Sequence, residues 1–170
     1  MTFIDHAPDR TGHDRRLGLL PFLVLTLGVG AASGYATVHD VATWYPTLIK
    51  PSFNPPNWVF APVWTALYIL MAIAAWRVWR VAGAFSRALL LFYVQLALNC
   101  AWSFLFFKDH RIAAALADIA VMFVLILATA IAFGRRDRWA GILFLPYLAW
   151  VGFAAALNGA VWQLNGMPAT

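Results

Sequence analysis

The sequence predicts an all-α membrane protein, a five-transmembrane-helix bundle with a structured Pro/Trp-rich loop between the first and second helices. Three observations carry that expectation. Of the 170 residues, 63% are hydrophobic and 11% are charged, with a mean hydropathy of +0.74, which is more apolar material than a soluble domain of this length could bury. Apolar runs recur at about 17–38, 58–79, 86–107, 112–133 and 139–162, each near the roughly 20 residues that take a helix across about 30 Å of hydrocarbon. Strand-like alternation is absent and the runs are too long for barrel strands, so helices are the expected way to satisfy the backbone in lipid. The expected organisation is a polar tail at 1–16, one transmembrane domain at 17–162 and a short tail at 163–170.

The first run ends near Ala32, Ser33 and Ala36, small residues of the kind a signal peptidase uses. It also contains Gly30 and Gly34, a spacing that lets a second helix approach closely, so it is read as a retained helix. The segment from Trp44 to Tyr68, WYPTLIKPSFNPPNWVFAPVWTALY, follows it and holds five of the nine prolines and three of the nine tryptophans. Pro46, Pro51, Pro55 and Pro56 each fix φ and remove a backbone donor, which breaks the helix. The aromatics are too many for a merely solvated connection, and the segment reads as a lid.

In the second helix Trp64 and Tyr68 lie four residues apart, with Phe60 extending the row and Pro62 beside it. The third helix carries Gln95, Asn99 and Ser103 on one face, next to Trp102. Polar groups at this depth avoid lipid, either by bonding between helices or by lining a ligand pocket. In the fourth helix Asp118 is the one acid well inside a run; it is either functional or a structural acid bonded between helices, with Asn99 and Ser103 as candidate partners. The fifth helix offers Tyr147, Trp150, Ala154 and Asn158 as a further stripe, with Pro146 able to bend it. Aromatic planes with a few amides suit a flat, largely apolar ligand. Trp76, Trp79, Trp139 and Trp162 fit the alternative role of interfacial anchors.

Net charge is +5, but the basic residues fall between apolar runs, so they report orientation and not nucleic-acid binding. Arg10, Arg15, Arg16, Arg77, Arg80, Arg87, Arg135, Arg136 and Arg138 share one side, against Lys50, Lys108 and Arg111 on the other. In a bacterial inner membrane this bias places the N-terminus in the cytoplasm and the loop outside. Cys100 is the single cysteine, which excludes an intramolecular disulfide and a thiolate metal site. His6, His13, His39 and His110 have no ligand-like spacing, and an interfacial role for His39 outweighs haem ligation. The sequence shows neither a phosphate loop nor a catalytic acid, base or nucleophile constellation, and the expectation is no metal and no obligatory cofactor.

The elements WY, KPSFNPP, WVF and PVWTALY, followed in order by QLALNCAWSFLFF and LPYLAWVGFAAALN, resemble the translocator protein family, also called tryptophan-rich sensory proteins or peripheral-type benzodiazepine receptors. The resemblance covers about residues 17–162 and implies a five-helix bundle, usually a homodimer, with a pocket beneath the first loop. It implies binding of protoporphyrin, haem and synthetic isoquinoline or benzodiazepine ligands. By motif, Trp44 and Tyr45 belong to the lid, Trp64 and Trp150 face the ligand, and Asn99, Ala154 and Asn158 complete the wall beside Trp102 and Ser103. Trp64 and Trp150 also match the positions on which the family's proposed porphyrin photodegradation depends, making them the candidate redox residues. Mitochondrial members bind cholesterol, but their motif needs a basic residue soon after a tyrosine and none follows Tyr147, so sterol recognition by that motif is not expected. A bacterial member has been placed in the outer membrane, where helical bundles are unusual, so the resemblance keeps that location beside the inner membrane. A scaffold assembled through Gly30 and Gly34, or through Ala97 and Ala101, is the reading without a ligand.

Overall fold

The computed structural model describes residues 18–166. Arg10, Arg15, Arg16, His6, His13, the tail at 1–16 and the last residues of the tail at 163–170 lie outside the described residues. Helix α1 runs Leu19–Thr43, α2 Asn57–Ala82, α3 Arg87–Ser103, α4 Ile112–Gly134, α5 Arg138–Leu143 and α6 Leu145–Gly166. α5 and α6 together make the fifth of five spans long and apolar enough to cross a membrane. The chain is an integral multi-pass membrane protein with a five-helix bundle fold, as expected from its apolar runs.

The helix ends follow local chemistry. Pro56, extended at φ −57° and ψ 141°, starts α2 where an N–H is not needed. Gly83 closes α2 at φ +77°, a backbone state open to glycine at little cost. Ser86 caps α3, its hydroxyl accepting from Leu89 N at 3.4 Å. α3 runs on into a five-residue π-helical turn, Phe104–Lys108, in which Asp109 N donates to Phe104 O at 2.9 Å. Pro146 has no amide hydrogen to offer Ile142 O, and the chain breaks at Phe144 between α5 and α6. α6 then continues to Gly166, beyond the expected boundary at 162.

α1 is polar on the inside. Its buried residues are Phe22, Thr26, Ser33, Thr37 and Asp40, while Val24, Tyr35 and Val38 are exposed to the surroundings. Hydroxyls avoid isolation by bonding backward or across: Thr37 Oγ1 to Ser33 O at 2.8 Å, and Thr26 Oγ1 within 3.0 Å of Tyr68 O. Gly30 abuts the Tyr68 ring so closely that a Cβ has no room there, whereas Gly34 faces open space. The close approach expected of this glycine pair is therefore made by Gly30 within the chain.

Asp137 fastens the α4–α5 turn. Its Oδ1 accepts from Trp139 N at 2.9 Å and Ala140 N at 3.2 Å, and its Oδ2 lies 2.7 Å from Arg77 Nη2 of α2. Burial opposes ionisation, but the Arg77 and backbone hydrogen bonds outweigh it and hold this carboxyl below the usual range. A depressed folded pKa gives stabilisation that is complete above the unfolded value near about 3.9 and is lost as pH falls through the folded one. Asp137→Ala should lower stability by about 1–2 kcal/mol at pH 7 through loss of the cap and the ion pair. Thermal unfolding in detergent should show the gap to wild type shrinking at pH 3.

Candidate functional site

After α1 the chain forms a short 3₁₀ turn, Tyr45–Thr47, then an extended proline-containing stretch that crosses the end of the bundle. Tyr45 is buried, and its hydroxyl donates to Asn54 Oδ1 at 2.9 Å. Burial pushes the Tyr45 phenol up from its ordinary pKa, against the opposing hydrogen bond to Asn54, so it stays a donor. Lys50 Nζ lies 4.7 Å above the same ring. The far end of the loop is tied to α6. Asn165 Oδ1 accepts from Ile49 N at 2.9 Å and Asn165 Nδ2 donates to Ile49 O at 2.9 Å, so one side-chain amide holds both backbone polar groups of a single residue. Phe53 adds an edge contact to Phe153, with centroids 6.3 Å apart.

This grip is testable in isolation. Asn165→Ala should cost about 1 kcal/mol of local stability, because the two bonds are solvent-exposed and water replaces them in part. Hydrogen exchange at the Ile49 amide should speed up about fivefold, while amides in the core of α3 keep their protection.

Beneath the loop lies a cavity of about 660 Å³ bounded by α1, α2, α3, the π-helical turn and α6. Helical periodicity explains the wall. Phe60, Trp64 and Tyr68 are successive steps of four on α2, and Asn99 and Ser103 are such steps on α3. Trp150, Ala154 and Asn158 repeat the spacing on α6. The π-helical turn inserts an extra residue per turn and swings both Phe106 and Phe107 into the lining. Tyr45 closes the top, and Gly30 and Gly34 form part of the α1 side.

A hydrogen-bond network holds the floor. Tyr68 OH donates to Asn99 Oδ1 at 2.6 Å, Asn99 Nδ2 donates to Tyr147 OH at 3.2 Å, and Tyr147 OH donates to Gln95 Oε1 at 2.9 Å. Higher up, Trp102 Nε1 donates to Asn158 Oδ1 at 3.0 Å, and Asn158 Nδ2 donates to Ile112 O at 3.0 Å. These bonds fix the rotamers of the wall and join α2, α3, α4 and α6. Trp150 differs: its Nε1 is buried without a hydrogen-bond partner, although its ring packs on Phe60 and Phe153. Trp102 Nε1 is committed to Asn158, whereas Trp150 Nε1 is an unsatisfied donor buried within the wall.

All the predicted site residues line this cavity except Trp44 and Tyr147. Trp44 instead stacks on His110, with centroids 4.0 Å apart and planes at 11°, and meets Phe106 edge-on. The physical reason is register: Trp44 lies four residues beyond Asp40, and Asp40 Oδ1 pairs at 3.2 Å with Nε2 of His110, just past the π-helical turn. Tyr147 is fully buried behind the wall and acts through Asn99 and Gln95. Asp118 is not bonded to Asn99 or Ser103, the candidate partners named from sequence; Asn99 is taken by the two tyrosines, Ser103 Oγ donates back to Asn99 O at 3.5 Å, and Asp118 Oδ2 has no hydrogen-bond partner. His39 is exposed and outside the cavity, whose lining among the described residues includes no histidine. Sequence reasoning missed Asn54, Asn165, Phe106 and Phe107; the asparagines carried no local signal, while the FLFF run was visible but its π-helical register was not.

Comparison with known proteins agrees with the fold and the order of these elements. A profile of the TspO/MBR family matches residues 22–163. A tryptophan-rich sensory protein of Cereibacter sphaeroides is 42% identical over 144 residues, 85% of this chain and 90% of its own length. The tryptophan-rich protein TspO of Archaeoglobus fulgidus is 39% identical over 152 residues, 88% of this chain and 97% of its own. The translocator protein of Sus scrofa is 41% identical over 154 residues, 86% of this chain and 90% of its own. The match spans every described helix and the roof loop that covers the cavity, at identities well beyond what a shared fold alone requires; this chain belongs to the TspO/MBR family, a membrane protein of sensory or translocator type.

Proposed function

We propose that the cavity binds tetrapyrroles such as protoporphyrin or haem, and that the protein acts as a receptor or transporter-like component of porphyrin handling. The observation that carries this reading is the single cavity wall shared by Phe60, Trp64, Trp102, Phe106 and Trp150, enclosing about 660 Å³. That volume lies within the roughly 300–1,000 Å³ of small-molecule pockets. Aromatic faces suit the planes of a macrocycle, and the hydroxyls and amides among the lining residues suit its polar edges. Flat synthetic isoquinoline or benzodiazepine ligands fit the same description and should compete. The charge bias supports an N-terminus in the cytoplasm of a bacterial inner membrane, with the roof loop outside.

Titration of the purified protein with protoporphyrin in darkness should quench tryptophan fluorescence saturably, with a dissociation constant in about the micromolar range. Cholesterol, tested in parallel, should neither quench nor compete. Absence of saturable quenching would reject the binding reading.

A second reading has its own observation. Trp64 and Trp150 share the wall, and Trp64 also lies 5.6 Å from Tyr68 and 6.2 Å from Tyr147 by ring centroids. Such a cluster is what light- and oxygen-dependent degradation of bound porphyrin through an oxidisable aromatic would use. Illumination in air should then yield a product faster than free porphyrin bleaches in the same detergent.

A further inference from the structure

The cavity has a closed roof and an open side. The roof is held by the Asn165 grip on Ile49, by Tyr45 on Asn54 and by Phe53 on Phe153. The side is set by how α1 chooses its partners along its length. Over its half far from the loop α1 lies on α2: Phe22 packs against Trp79 at 6.3 Å, Thr26 Oγ1 is 3.0 Å from Tyr68 O, and Gly30 meets the Tyr68 ring. Over its half near the loop it leans on α3 and the π-helical turn instead. There Ser33 Oγ lies 3.5 Å from Cys100 Sγ, Asp40 pairs with His110, and Trp44 packs on Phe106.

Two antiparallel helices that touch at one end, while one of them leaves for another partner at the other end, must diverge. The exposure pattern agrees. Ala31, Gly34 and Val38 on α1, and Ala61 and Thr65 on α2, line the cavity and are also exposed on the outside of the bundle. A residue that is both wall and outer surface marks an edge of an opening. These positions lie within the spans, so hydrocarbon is what surrounds them. Their chemistry matches: three are small and one is valine, and the Thr65 hydroxyl is engaged with Ala61 O at 2.8 Å.

We propose that this gap between α1 and α2 is a side portal, through which a bilayer-dissolved flat amphiphile, a carboxylate-bearing tetrapyrrole, passes between the loop-side leaflet and the cavity. The loop is then a fixed roof and not the door. An apolar macrocycle that travels this way never exposes its faces to water. Its carboxylates stay near headgroup depth, because the portal lies directly under the loop. The inference rests on the tetrapyrrole-binding reading given above.

The test uses the full-length protein in lipid nanodiscs with protoporphyrin dissolved in the lipid, following tryptophan quenching by stopped flow and release by dilution into empty vesicles. Ala61→Phe and Ala31→Phe, made separately on the two edges, should each slow association and release by the same factor, about tenfold, because an obstructed passage raises one barrier of about 1.4 kcal/mol in both directions. Asn165→Ala, which loosens the roof, should leave the association rate within about twofold. The portal is overturned if both Phe variants keep wild-type rates, if they only hasten release as damaged walls would, or if Asn165→Ala alone accelerates association. Absence of quenching in the wild type would instead remove the binding reading itself, a result visible before any variant is made.

Discussion

Gly141→Leu should unfold or grossly destabilise the protein in detergent, and Gly141→Ala should cost about 2–3 kcal/mol. A Cβ built at Gly141 meets Gly134 Cα at 2.7 Å and both Ala130 O and Gly134 N at 3.0 Å. All three are backbone atoms of the neighbouring helix, so no rotamer change relieves the contact and α5 must move off α4. Lipid supplies no hydrophobic drive to hold separated helices together, so close backbone approach of this kind is itself what stabilises a membrane bundle. The displacement would also pull Asp137, in the turn that joins α4 and α5, from Arg77 of α2. Gly28→Ala is the control. Nothing lies within 4 Å of a Cβ there, and the change should be neutral or slightly stabilising through helix propensity. Thermal midpoints of both variants in one detergent check the pair, and equal effects would refute the packing argument.

That glycine crossing shows where sequence ceases to specify detail. The five spans were legible because hydropathy over about 20 residues leaves few alternatives, and Pro46 to Pro56 marked a stretch that cannot be helical throughout. The stripes on α2, α3 and α6 were legible because a helix fixes which residues share a face. What each face meets was not. Nothing in the sequence singles out Gly134 and Gly141, and the pair that drew notice, Gly30 and Gly34, divides between a ring contact and open space. Contacts between distant residues were beyond reach: Asn165 with Ile49 is 116 residues apart and Asp40 with His110 is 70. The misplacement of Trp44 follows from the second of these, because an aromatic at the start of a loop goes where the last turn of the preceding helix points. His110 takes φ of 55°, a left-handed state that histidine adopts more readily than most residues, and this brings its ring under Trp44.

Replacing Trp64 and Trp150 together by Leu should weaken protoporphyrin binding about 100-fold, while each single change weakens it about tenfold. The reasoning starts from what each indole does without ligand. Trp64 is supported by Tyr68 and Tyr147, and Trp150 by Phe60 and Phe153, so both rings are braced from behind and need little reordering to meet a planar ligand. Leu keeps apolar burial but removes the flat face and, at position 150, the unpartnered N–H. Each single loss is then a stacking surface worth about 0.5–1.5 kcal/mol beyond area. Trp150→Phe retains a flat face and should recover most of the affinity lost in Trp150→Leu, for the free acid and the esterified ligand alike. Dark fluorescence titrations and a parallel illuminated series distinguish the two readings of the cavity. If Trp→Phe changes abolish photoconversion while leaving affinity within about threefold, the indoles serve redox chemistry, and if both fall together they serve as the binding wall.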